Sequence, residues 1–491
     1  MLRGAVAFPL EARRFRIAKC NIEKGPLHLA RAQKGYSYSV TPHLRRLPLL
    51  LILSAFLAAC GCDAFVTRPH LAARRLAPPP FPALALCGPE FDAAMYRITR
   101  APLRRGNRAH LLLNGQQVFP AMMADIRAAR REVLVSTYIF SSDRIGFAFA
   151  ELLARKAREG VRVRFLFDAF GSMMDVGKRA VRLMRKAGVE VKAMNPLLGF
   201  SFLRYNNRCH AKMLVVDGRI GYVMGLNLSE KYCGTGRERR FWRDDAVRVR
   251  GPVVSDMRRA FDLLWREAGR GPFGKKPPLP FLDLVWEKAR GGPWPPPAAP
   301  PADPRPFPDG VPARVLFTQP GWFHHEAYDA FLQAIYSARN TIDMTFGYFL
   351  PDHPVAKALL DAARRGVRIR IVLPDRLDVY FVKKTSLECA SKLCRRGIEL
   401  YAYRPALLHA KAMVVDGKWA TLGSMNVNGR TFFLNYDCNL IVWGGALPAR
   451  LERAFETDLR LCKRLTPRDL RPRNPLQFLV HKALYLMKDQ M

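Results

Sequence analysis

The sequence lacks the residue patterns that usually hold metal ions or haem. Its ten cysteines contain no C-x-x-C pair, and its acidic residues form no cluster with the spacing of a metal site. Cys209, Cys233 and Cys438 are expected to be small core residues rather than ligands. The chemistry of this chain is therefore expected to need no metal and no other cofactor.

Acidic residues are scarce relative to basic ones. The 491 residues include 41 Asp and Glu against 80 Lys and Arg, which gives a formal net charge of +39. This balance favours negatively charged partners such as phospholipid headgroups, an anionic membrane surface or nucleic acid. An Arg-rich composition that only keeps the chain soluble would give the same charge. The length and the 49% hydrophobic content predict two or three domains with ample core.

The N-terminal region contains an apolar run, but it is shorter than the roughly 20 residues that span a bilayer. Residues 49–59 are apolar, follow Arg45-Arg46 and precede Cys60. This order predicts a secretory signal, and Leu57-Ala58-Ala59-Cys60 resembles a bacterial lipobox with a lipidated Cys. We therefore expect an uncertain extension at 1–39, a signal peptide and lipobox at 40–60, and a lipoprotein of the cell envelope that faces the periplasm. An uncleaved hydrophobic anchor is the alternative, and the choice between inner and outer membrane stays open.

Two long segments of the chain repeat one order of predicted helices and strands. Strands at 133–140 and 161–168 flank a helix at 147–158, after a short strand and turn at 111–115 and a helix at 119–130. Strands at 341–349 and 367–375 flank a helix at 355–365, after a helix at 328–338. Tyr348 is placed where the first copy has Tyr138, and 158–164 closely matches 364–370. The alternation predicts an α/β fold made by duplication of a whole domain.

The repeat sets the predicted domain boundaries. Residues 61–106 are rich in Pro and Arg and are predicted to be a linker, and the Pro-rich residues 271–308 are predicted to be a second one. The two domains are placed at 107–270 and 309–465. The tail at 466–491 is basic and amphipathic, so it is expected either to rest on anionic lipid or to pack on a domain surface.

Each repeat carries one H-x-K motif followed by an Asp. The first is His210-Ala211-Lys212 with Asp217, and the second is His409-Ala410-Lys411 with Asp416. Residues two apart on a strand point to the same face, so His and Lys of one motif can reach the same group. An Asn follows each His at a distance of seventeen residues, at Asn227 and Asn426. Two such sets that face each other would form one pocket.

These residue types suit the cleavage of a phosphodiester. A neutral imidazole can attack phosphorus, and a second, protonated imidazole can donate a proton to the departing oxygen. Lys and Asn side chains can hold the non-bridging oxygens as charge builds on them. Asp244 and Asp437 follow the two motifs and are candidates to orient the His residues.

The two H-x-K-x4-D motifs resemble those of the phospholipase D superfamily, and the phrases around them resemble bacterial cardiolipin synthases. The matching phrases are Thr137-Tyr138-Ile139-Phe140, Asp168-Ala169-Phe170-Gly171, Trp242-Arg243-Asp244 and Gly251-Pro252-Val253-Val254. The resemblance covers about 107–465. It implies an α/β fold of two tandem phospholipase D-like domains, each a mixed sheet flanked by helices, related by a pseudo-twofold and sharing one active site at their interface.

The resemblance also implies roles for the motif residues. His210 matches the nucleophile and His409 the general acid and base, while Lys212, Lys411, Asn227 and Asn426 would bind phosphate. Asp244 and Asp437 would orient the two His residues. Asp217 and Asp416 are grouped with the catalytic motif, although they are expected to brace the turns before Gly218 and Gly417.

Two departures from the family pattern stand out. The first copy has Met224-Gly225 where the second has Gly423-Ser424, so one Ser hydroxyl is missing. Asp437 stands where a Glu is common, which should shorten its reach.

The expected function is a phosphatidyltransferase that works through a phosphohistidine and makes cardiolipin from two phosphatidylglycerols. Most relatives of that kind have transmembrane helices, so hydrolysis to phosphatidic acid stays open. A phosphodiesterase or nuclease is a further alternative, with nucleic acid the disfavoured partner, and a non-catalytic lipid-binding protein of the envelope is the alternative outside enzymes. The acceptor alcohol and the oligomeric state are left open.

Overall fold

One sheet of fifteen strands, counted over the residues that the computed structural model describes, runs through both sequence repeats. Those residues are 81–172, 178–195, 207–268, 304–320, 324–378 and 380–470. The predicted extension at 1–39, the signal peptide and lipobox with Cys60, most of the Pro-rich linker and nearly all of the C-terminal tail lie outside them. Among the described residues, no helix combines the length and the apolar character needed to cross a bilayer.

The first half of the sheet region (residues 104–268) alternates strands and helices as predicted. Its elements are β1 (Arg104–Leu113), α2 (Asn114–Ala128), β2 (Glu132–Thr137), α3 (Arg144–Arg158), β3 (Arg162–Asp168), α4 (Lys178–Lys186), β4 (Glu190–Met194), β5 (Arg208–Cys209), β6 (Met213–Val216), β7 (Ile220–Met224), a 3-10 turn (Glu230–Tyr232), β8 (Trp242–Arg243), β9 (Asp245–Arg250) and α5 (Val253–Glu267). A helix that precedes them, α1, spans Pro89–Thr99.

The second half (residues 311–465) repeats this order. Its elements are β10 (Val311–Phe317), α6 (Glu326–Ser337), β11 (Thr341–Phe346), α7 (His353–Arg364), β12 (Arg368–Pro374), α8 (Tyr380–Cys394), β13 (Glu399–Tyr403), β14 (Leu407–Leu408), β15 (Lys411–Val415), β16 (Trp419–Gly423), α9 (Gly429–Phe433), β17 (Asn435–Tyr436), β18 (Cys438–Trp443), α10 (Ala446–Leu459) and β19 (Cys462–Leu465). The predicted elements are present, most with ends that differ by a few residues. The strand and turn predicted at 111–115 are corrected, because β1 begins already at Arg104 and α2 begins at Asn114.

The strand order shows the pseudo-twofold relation between the halves. From the centre outward, the first half runs β1-β9-β7-β6-β2-β3-β4, and the second runs β10-β18-β16-β15-β11-β12-β13, with β19 added at its edge. The halves join where β1 pairs antiparallel with β10. In each half the strand after the motif, β6 or β15, lies antiparallel between its hairpin partner and the strand that begins the parallel set. The predicted α/β class with two tandem, similar domains is confirmed.

Three larger hydrophobic clusters lie on the faces of this sheet. One belongs to the first half, one to the second half together with α1, and the third is shared by both halves. The shared cluster joins α5 and α10 residues such as Phe261 and Leu451 with Ala313 of β10. Because apolar surface is buried between the halves, their relative position is set by packing as well as by the β1–β10 pair.

The predicted linker at 61–106 is corrected in part, since it contains α1 and the start of β1. Phe91 and Met95 of α1 are fully buried, and the Phe91 ring lies 5.8 Å from that of Trp443. Asp92 accepts a hydrogen bond from the buried Arg314 guanidinium. The Pro and Arg content of this segment indicated a linker, although one face of α1 is apolar. That face packs on the core of the second half.

Candidate active site

Both H-x-K motifs lie where short strands from opposite halves meet. β5, just before His210, pairs parallel with β17 of the second half, and β14, just before His409, pairs parallel with β8 of the first half. The His210 backbone N–H donates to Tyr436 O at 2.8 Å, and that of His409 donates to Arg243 O at 2.7 Å. Each motif is therefore held against the loop of the other half that carries an Asp.

The two His–Asp pairs are crossed between the halves. His210 Nδ1 lies 2.7 Å from Asp437 Oδ1, and His409 Nδ1 lies 2.6 Å from Asp244 Oδ2. The four residues are those predicted to form the His–Asp pairs, and each His lies against the Asp of the other half. A carboxylate on Nδ1 favours the tautomer with Nδ1–H, which leaves the Nε2 lone pair for chemistry.

Buried ion pairs fix the segments that carry these residues. Asp168 accepts the Cys209 N–H at 2.8 Å and lies 3.4 Å from Arg208, so it holds β5 next to His210. On the other side, Arg243 pairs across the halves with Asp458 of α10 at 2.8 Å. A buried ion pair fixes a single geometry, because breaking it would leave an uncompensated charge.

The missing Ser hydroxyl makes the two carboxylates differ. Ser424 Oγ donates to Asp437 Oδ1 at 2.6 Å and accepts the Cys438 N–H at 2.9 Å. At the corresponding position, a Cβ on Gly225 would lie 2.1 Å from Asp244 Oδ1. Asp244 therefore occupies the space of the hydroxyl and accepts the Asp245 N–H directly at 2.8 Å. The shorter Asp437 side chain still reaches its His, because it crosses to the facing half.

Both motif lysines are buried beside their His residues. Lys212 Nζ donates to His210 O at 2.7 Å, and Lys411 Nζ lies 2.9 Å from His409 Nδ1. Burial lowers the pKa of Lys212 to about 7, against the opposing charge of Asp437. Burial also lowers the pKa of Lys411 to about 8, against Asp244. An anion that entered the site would favour the charged form of both lysines.

Burial favours the neutral form of both imidazoles. It lowers the pKa of His210 to about 4, with Lys212 acting in the same direction and Asp437 opposing. It lowers the pKa of His409 well below its usual value, with Lys411 as the next cause. The pKa of Asp244 is raised by burial to about 7, against the Lys411 charge. A neutral imidazole at physiological pH is the form that can act as a nucleophile or a base.

The two predicted phosphate-binding asparagines are not equivalent. Asn227 Oδ1 accepts the Ile139 N–H at 3.0 Å, and its Nδ2 donates to Tyr232 Oη at 2.9 Å. Asn426 is also buried, but its Oδ1 has no hydrogen-bond partner within the described ranges. Phosphate binding by both remains a prediction, since a phosphate oxygen needs an N–H donor and the unpartnered atom of Asn426 is an acceptor.

Asp217 and Asp416 brace the backbone rather than the His residues. Both have positive φ, at 53° and 51°, just after β6 and β15. Asp217 accepts the N–H groups of residues 130–132 at 2.7–3.2 Å, and Asp416 those of residues 339–341 at 2.7–2.9 Å. A whole strand separates each carboxylate from its motif His, and a catalytic part for these two residues stays a prediction. The turn-bracing expectation agrees with these contacts.

Aromatic rings surround the His residues, although none of them was predicted as a site residue. Tyr138 lies 5.1 Å from His210 between ring centroids, and Tyr348 lies 6.1 Å from His409. Tyr232 and Trp242 also lie against His409, at 5.6 and 5.3 Å. The position of Trp242, two residues before Asp244 in the sequence, could have indicated its place beside the site.

The equivalence of Tyr138 and Tyr348 needs a correction. The Leu228 N–H donates to Ile139 O, and the Val427 N–H donates to Tyr348 O in the corresponding place. Tyr348 therefore matches Ile139, and Tyr138 matches Gly347. A Cβ on Gly347 would lie 3.0 Å from His409 Cα, so a bulky side chain there would crowd the motif. The rings reach similar places from adjacent backbone positions.

Comparison with known proteins gives consistent similarities. A family model described as "Cardiolipin synthase, PLD-like domain" matches residues 122–265 and 331–459. The chain is 33% identical to "Cardiolipin synthase A" of Pseudomonas entomophila over 83% of this chain and 81% of that one. It is 32% identical to "Cardiolipin synthase A" of Pseudomonas putida over 78% and 75%, and 29% identical to "Probable cardiolipin synthase YwiE" of Bacillus subtilis over 76% and 70%.

The fold is similar to that of a solved structure. It matches the crystal structure of phosphatidylserine synthase from Haemophilus influenzae with a TM-score of 0.64 and 14% sequence identity. The match covers 82% of this chain and all of that one. At this identity the likeness concerns the arrangement of helices and strands, which is the one described above.

Proposed function

This chain belongs to the phospholipase D superfamily, with two cardiolipin synthase-type domains, and it is an enzyme of that superfamily; we propose that it transfers a phosphatidyl group between two glycerophospholipids. The proposed reaction takes two phosphatidylglycerols to cardiolipin and glycerol through a phosphohistidine. It extends to this chain the activity for which its relatives are named, and it needs no metal or cofactor.

The crossed His–Asp pairs are the observation that carries this proposal. Each half supplies one imidazole and orients the imidazole of the other half. Two oriented imidazoles at one interface are what a double displacement at phosphorus requires, one as nucleophile and one as acid and base. A chain that only bound lipid would have no need for two buried imidazoles, each held in one tautomer by a carboxylate.

In the first step, His210 Nε2 attacks the phosphorus of the donor lipid. The P–N bond forms and the P–O bond to the headgroup glycerol breaks, and the leaving oxygen takes a proton from His409. The phosphodiester anion raises the pKa of a nearby imidazole when it binds, which favours the protonated form of His409. In the second step, His409 takes the proton of the acceptor hydroxyl as its oxygen attacks phosphorus and the P–N bond breaks.

Lys212 and Lys411 stabilise the charge that develops on the non-bridging oxygens. Their ammonium groups lie beside both His residues and are shielded from water, where electrostatic stabilisation is strong. We propose that Asn426 adds its amide to this set. The two lysines and this amide would hold the non-bridging oxygens while the bonds to phosphorus change.

Water as the acceptor would give phosphatidic acid from the same intermediate. The two His residues do not distinguish the two acceptors, since His409 can take a proton from either. The aromatic rings around His409 favour the lipid acceptor, because they exclude water from one side of the site.

The place of action follows from the substrate. We propose that a lipid on Cys60 anchors the enzyme at an anionic membrane of the bacterial envelope, with the active site facing the periplasm. The excess of Lys and Arg supports attraction to such a surface.

The experiment gives the purified protein vesicles of phosphatidylglycerol and, separately, DNA. The proposal expects cardiolipin and glycerol, with both products lost in His210→Ala and His409→Ala. Phosphatidic acid without cardiolipin would replace the transferase by a hydrolase. DNA cleavage without lipid turnover would overturn both lipid functions.

A further inference from the structure

An open cavity of about 480 Å³ lies in the first half, beside Tyr232 and Trp242, the two rings of that half that lie against His409. Two of the three stretches that line it also carry these rings. Lys231 precedes Tyr232, and Phe241 precedes Trp242, while Arg240 completes the basic side of the cavity. In each of these two pairs of neighbouring residues, the first lines the cavity and the second lies against His409.

The carboxylates in the cavity lining are already committed. Asp143 accepts N–H groups at the start of α3 and the Ser229 hydroxyl, at 2.9–3.1 Å. Glu230 is paired with Arg144 at 2.5 Å. The acidic side of the cavity therefore has little capacity left to attract a further cation.

The cavity's two lining cations are available for an anion. Lys231 Nζ lies 5.7 Å from the Trp242 ring, and the Arg240 guanidinium lies 4.3 Å from the Phe241 ring. Neither has an ion pair with a carboxylate in the part of the chain that the structure describes. Ring stacking fixes the direction of a cation without neutralising its charge, so both keep their attraction for phosphate.

The position of the cavity relates it to the acceptor rather than the donor. The Trp242 ring stands between the two places, 5.3 Å from the His409 ring and 5.7 Å from Lys231 Nζ. His409 is the group that takes the acceptor's proton. In a phosphatidylglycerol acceptor, one glycerol unit separates the attacking hydroxyl from the lipid's own phosphate. An acceptor whose hydroxyl reaches His409 would extend past Trp242 and bring that phosphate to the cations.

We infer that this cavity, which we call the acceptor subsite (Lys231, Arg240 and the Phe241–Trp242 edge), binds the phosphodiester anion of the acceptor lipid. This rests on the proposed phosphatidyl transfer. In the second step the acceptor oxygen bonds to phosphorus, the bond to His210 breaks and the hydroxyl proton passes to His409, while the second phosphate stays on Lys231 and Arg240. The subsite thereby selects an anionic lipid as acceptor over water or a free alcohol.

The test compares an anionic with a neutral acceptor in the full chain. Vesicles of phosphatidylglycerol report cardiolipin formation, and isotopically labelled glycerol reports transfer to a neutral alcohol as labelled phosphatidylglycerol. The variant is Lys231→Gln with Arg240→Gln. The matched control is Arg239→Gln, an exposed cation of the same loop that does not line the cavity. Lys231→Arg with Arg240→Lys is the rescue variant.

The expected result is a loss of about tenfold or more in kcat/KM for cardiolipin formation in the double Gln variant, as for lost charge-assisted hydrogen bonds. Glycerol incorporation should change less than about twofold, the rescue variant should recover most of the loss, and Arg239→Gln should match the wild type. The soluble diester glycerophosphoglycerol should inhibit the wild type more than inorganic phosphate does. Stronger inhibition by phosphate would identify a general phosphate site instead.

Equal losses with both acceptors, or no loss, would overturn the subsite and leave the proposed function intact. A wild-type protein that makes phosphatidic acid and no cardiolipin would overturn both, and this is seen before any variant is made. Sedimentation with vesicles separates weakened membrane attraction, which would lower both activities together, from loss of the acceptor subsite.

Discussion

Asp437 Oδ1 lies 2.7 Å from His210 Nδ1, although the two residues belong to different repeats of the sequence. The contact is possible because β17, which ends at Tyr436, pairs with β5, which ends at Cys209. The carboxylate and the imidazole therefore leave adjacent strand ends in the same direction. Removing either half would remove the partner of the remaining imidazole.

The crossed pairs predict that Asp437→Asn and Asp244→Asn have different effects. With a phosphatidyl ester of nitrophenol, whose leaving group needs no proton, Asp244→Asn should still form the phosphohistidine. Asp437→Asn should slow its formation by about 10²–10⁴, because His210 loses its tautomer and orientation. Quenched-flow trapping of the phosphoenzyme measures this, with His210→Ala as the blank. The reverse pattern would mean that each Asp serves the His of its own repeat.

Ser424→Ala should weaken the site by removing the hydroxyl between Asp437 and the Cys438 N–H. The change leaves a buried N–H without an acceptor, which costs about 1–3 kcal/mol. Urea unfolding gives the stability, and initial rates of cardiolipin formation give the activity. Gly225→Ser should be worse, since its Cβ would overlap Asp244 Oδ1. A Gly225→Ser protein with full activity would refute the packing described for Asp244.

Asp217→Ala should lower stability without a matching loss of turnover. The carboxylate accepts three backbone N–H groups, so its removal should cost about 1–3 kcal/mol in the free energy of unfolding. Asp217→Asn keeps one acceptor oxygen and should lose less. Denaturation and kcat are measured on the same preparations. A thousandfold fall in kcat with unchanged stability would mean that Asp217 takes part in the reaction.

The profile of kcat/KM against pH should have an acid limb set by His210 and an alkaline limb set by Lys212. Because the pKa of His210 is lowered to about 4, the neutral nucleophile persists far below pH 6.5, and the acid limb should lie near that pKa. Because the pKa of Lys212 is lowered to about 7, its charge is lost as pH rises through that value, which gives an alkaline limb. Lys212→Arg should move the alkaline limb upward, since a guanidinium stays charged. An unmoved limb would assign it to another group.

The same shifts set the pH dependence of stability, with a definite sign. Folded His210 resists protonation, so its contribution to stability is lost as pH falls from about 6.5 towards 4. Folded Lys212 binds its proton less tightly than the unfolded chain does, so stability should rise with pH between about 7 and 10.5. Unfolding midpoints of His210→Ala and of Lys212→Met against pH isolate the two contributions.

Phe91→Ala should show that α1 is part of the folded enzyme. The ring is fully buried against Trp443, and removing it should cost about 3–5 kcal/mol of stability. Tyr96→Ala on the same helix is the control, because that ring is 49% exposed and should cost under about 0.5 kcal/mol. Equal effects of the two changes would contradict the packing of α1.

Local patterns in the sequence sufficed for the fold and for the four motif side chains. Strand and helix periodicity, the matched phrases and the motif spacing all depend on residues near one another in the chain, and the structure contains the corresponding elements. The partners of the His residues could not be found in that way. Nothing local to Asp244 says that β8 will pair with β14, which lies 165 residues further on and supplies the neighbour of His409.

Other features depended on tertiary context for similar reasons. The apolar face of α1 is buried because Phe91 packs against Trp443, which lies far away in the sequence. The Asn227 amide donates to the Tyr232 hydroxyl, a contact that only the folded chain provides. Tyr138 and Tyr348 looked equivalent by type, yet the bridge between neighbouring strands sets them one residue apart. The two rings therefore lie in similar places beside the His residues, although they occupy different positions in the two repeats.

The Gly225 and Ser424 positions show what is gained by encoding both halves in one chain. A symmetric pair of identical subunits would have to place the same residue at both positions, and would orient both imidazoles alike. Covalent concatenation removes that obligation, so the carboxylate behind one imidazole can carry an extra hydroxyl while its counterpart goes without. The two chemical duties can then be optimised separately, by substitutions that a homodimer could never make on one side alone.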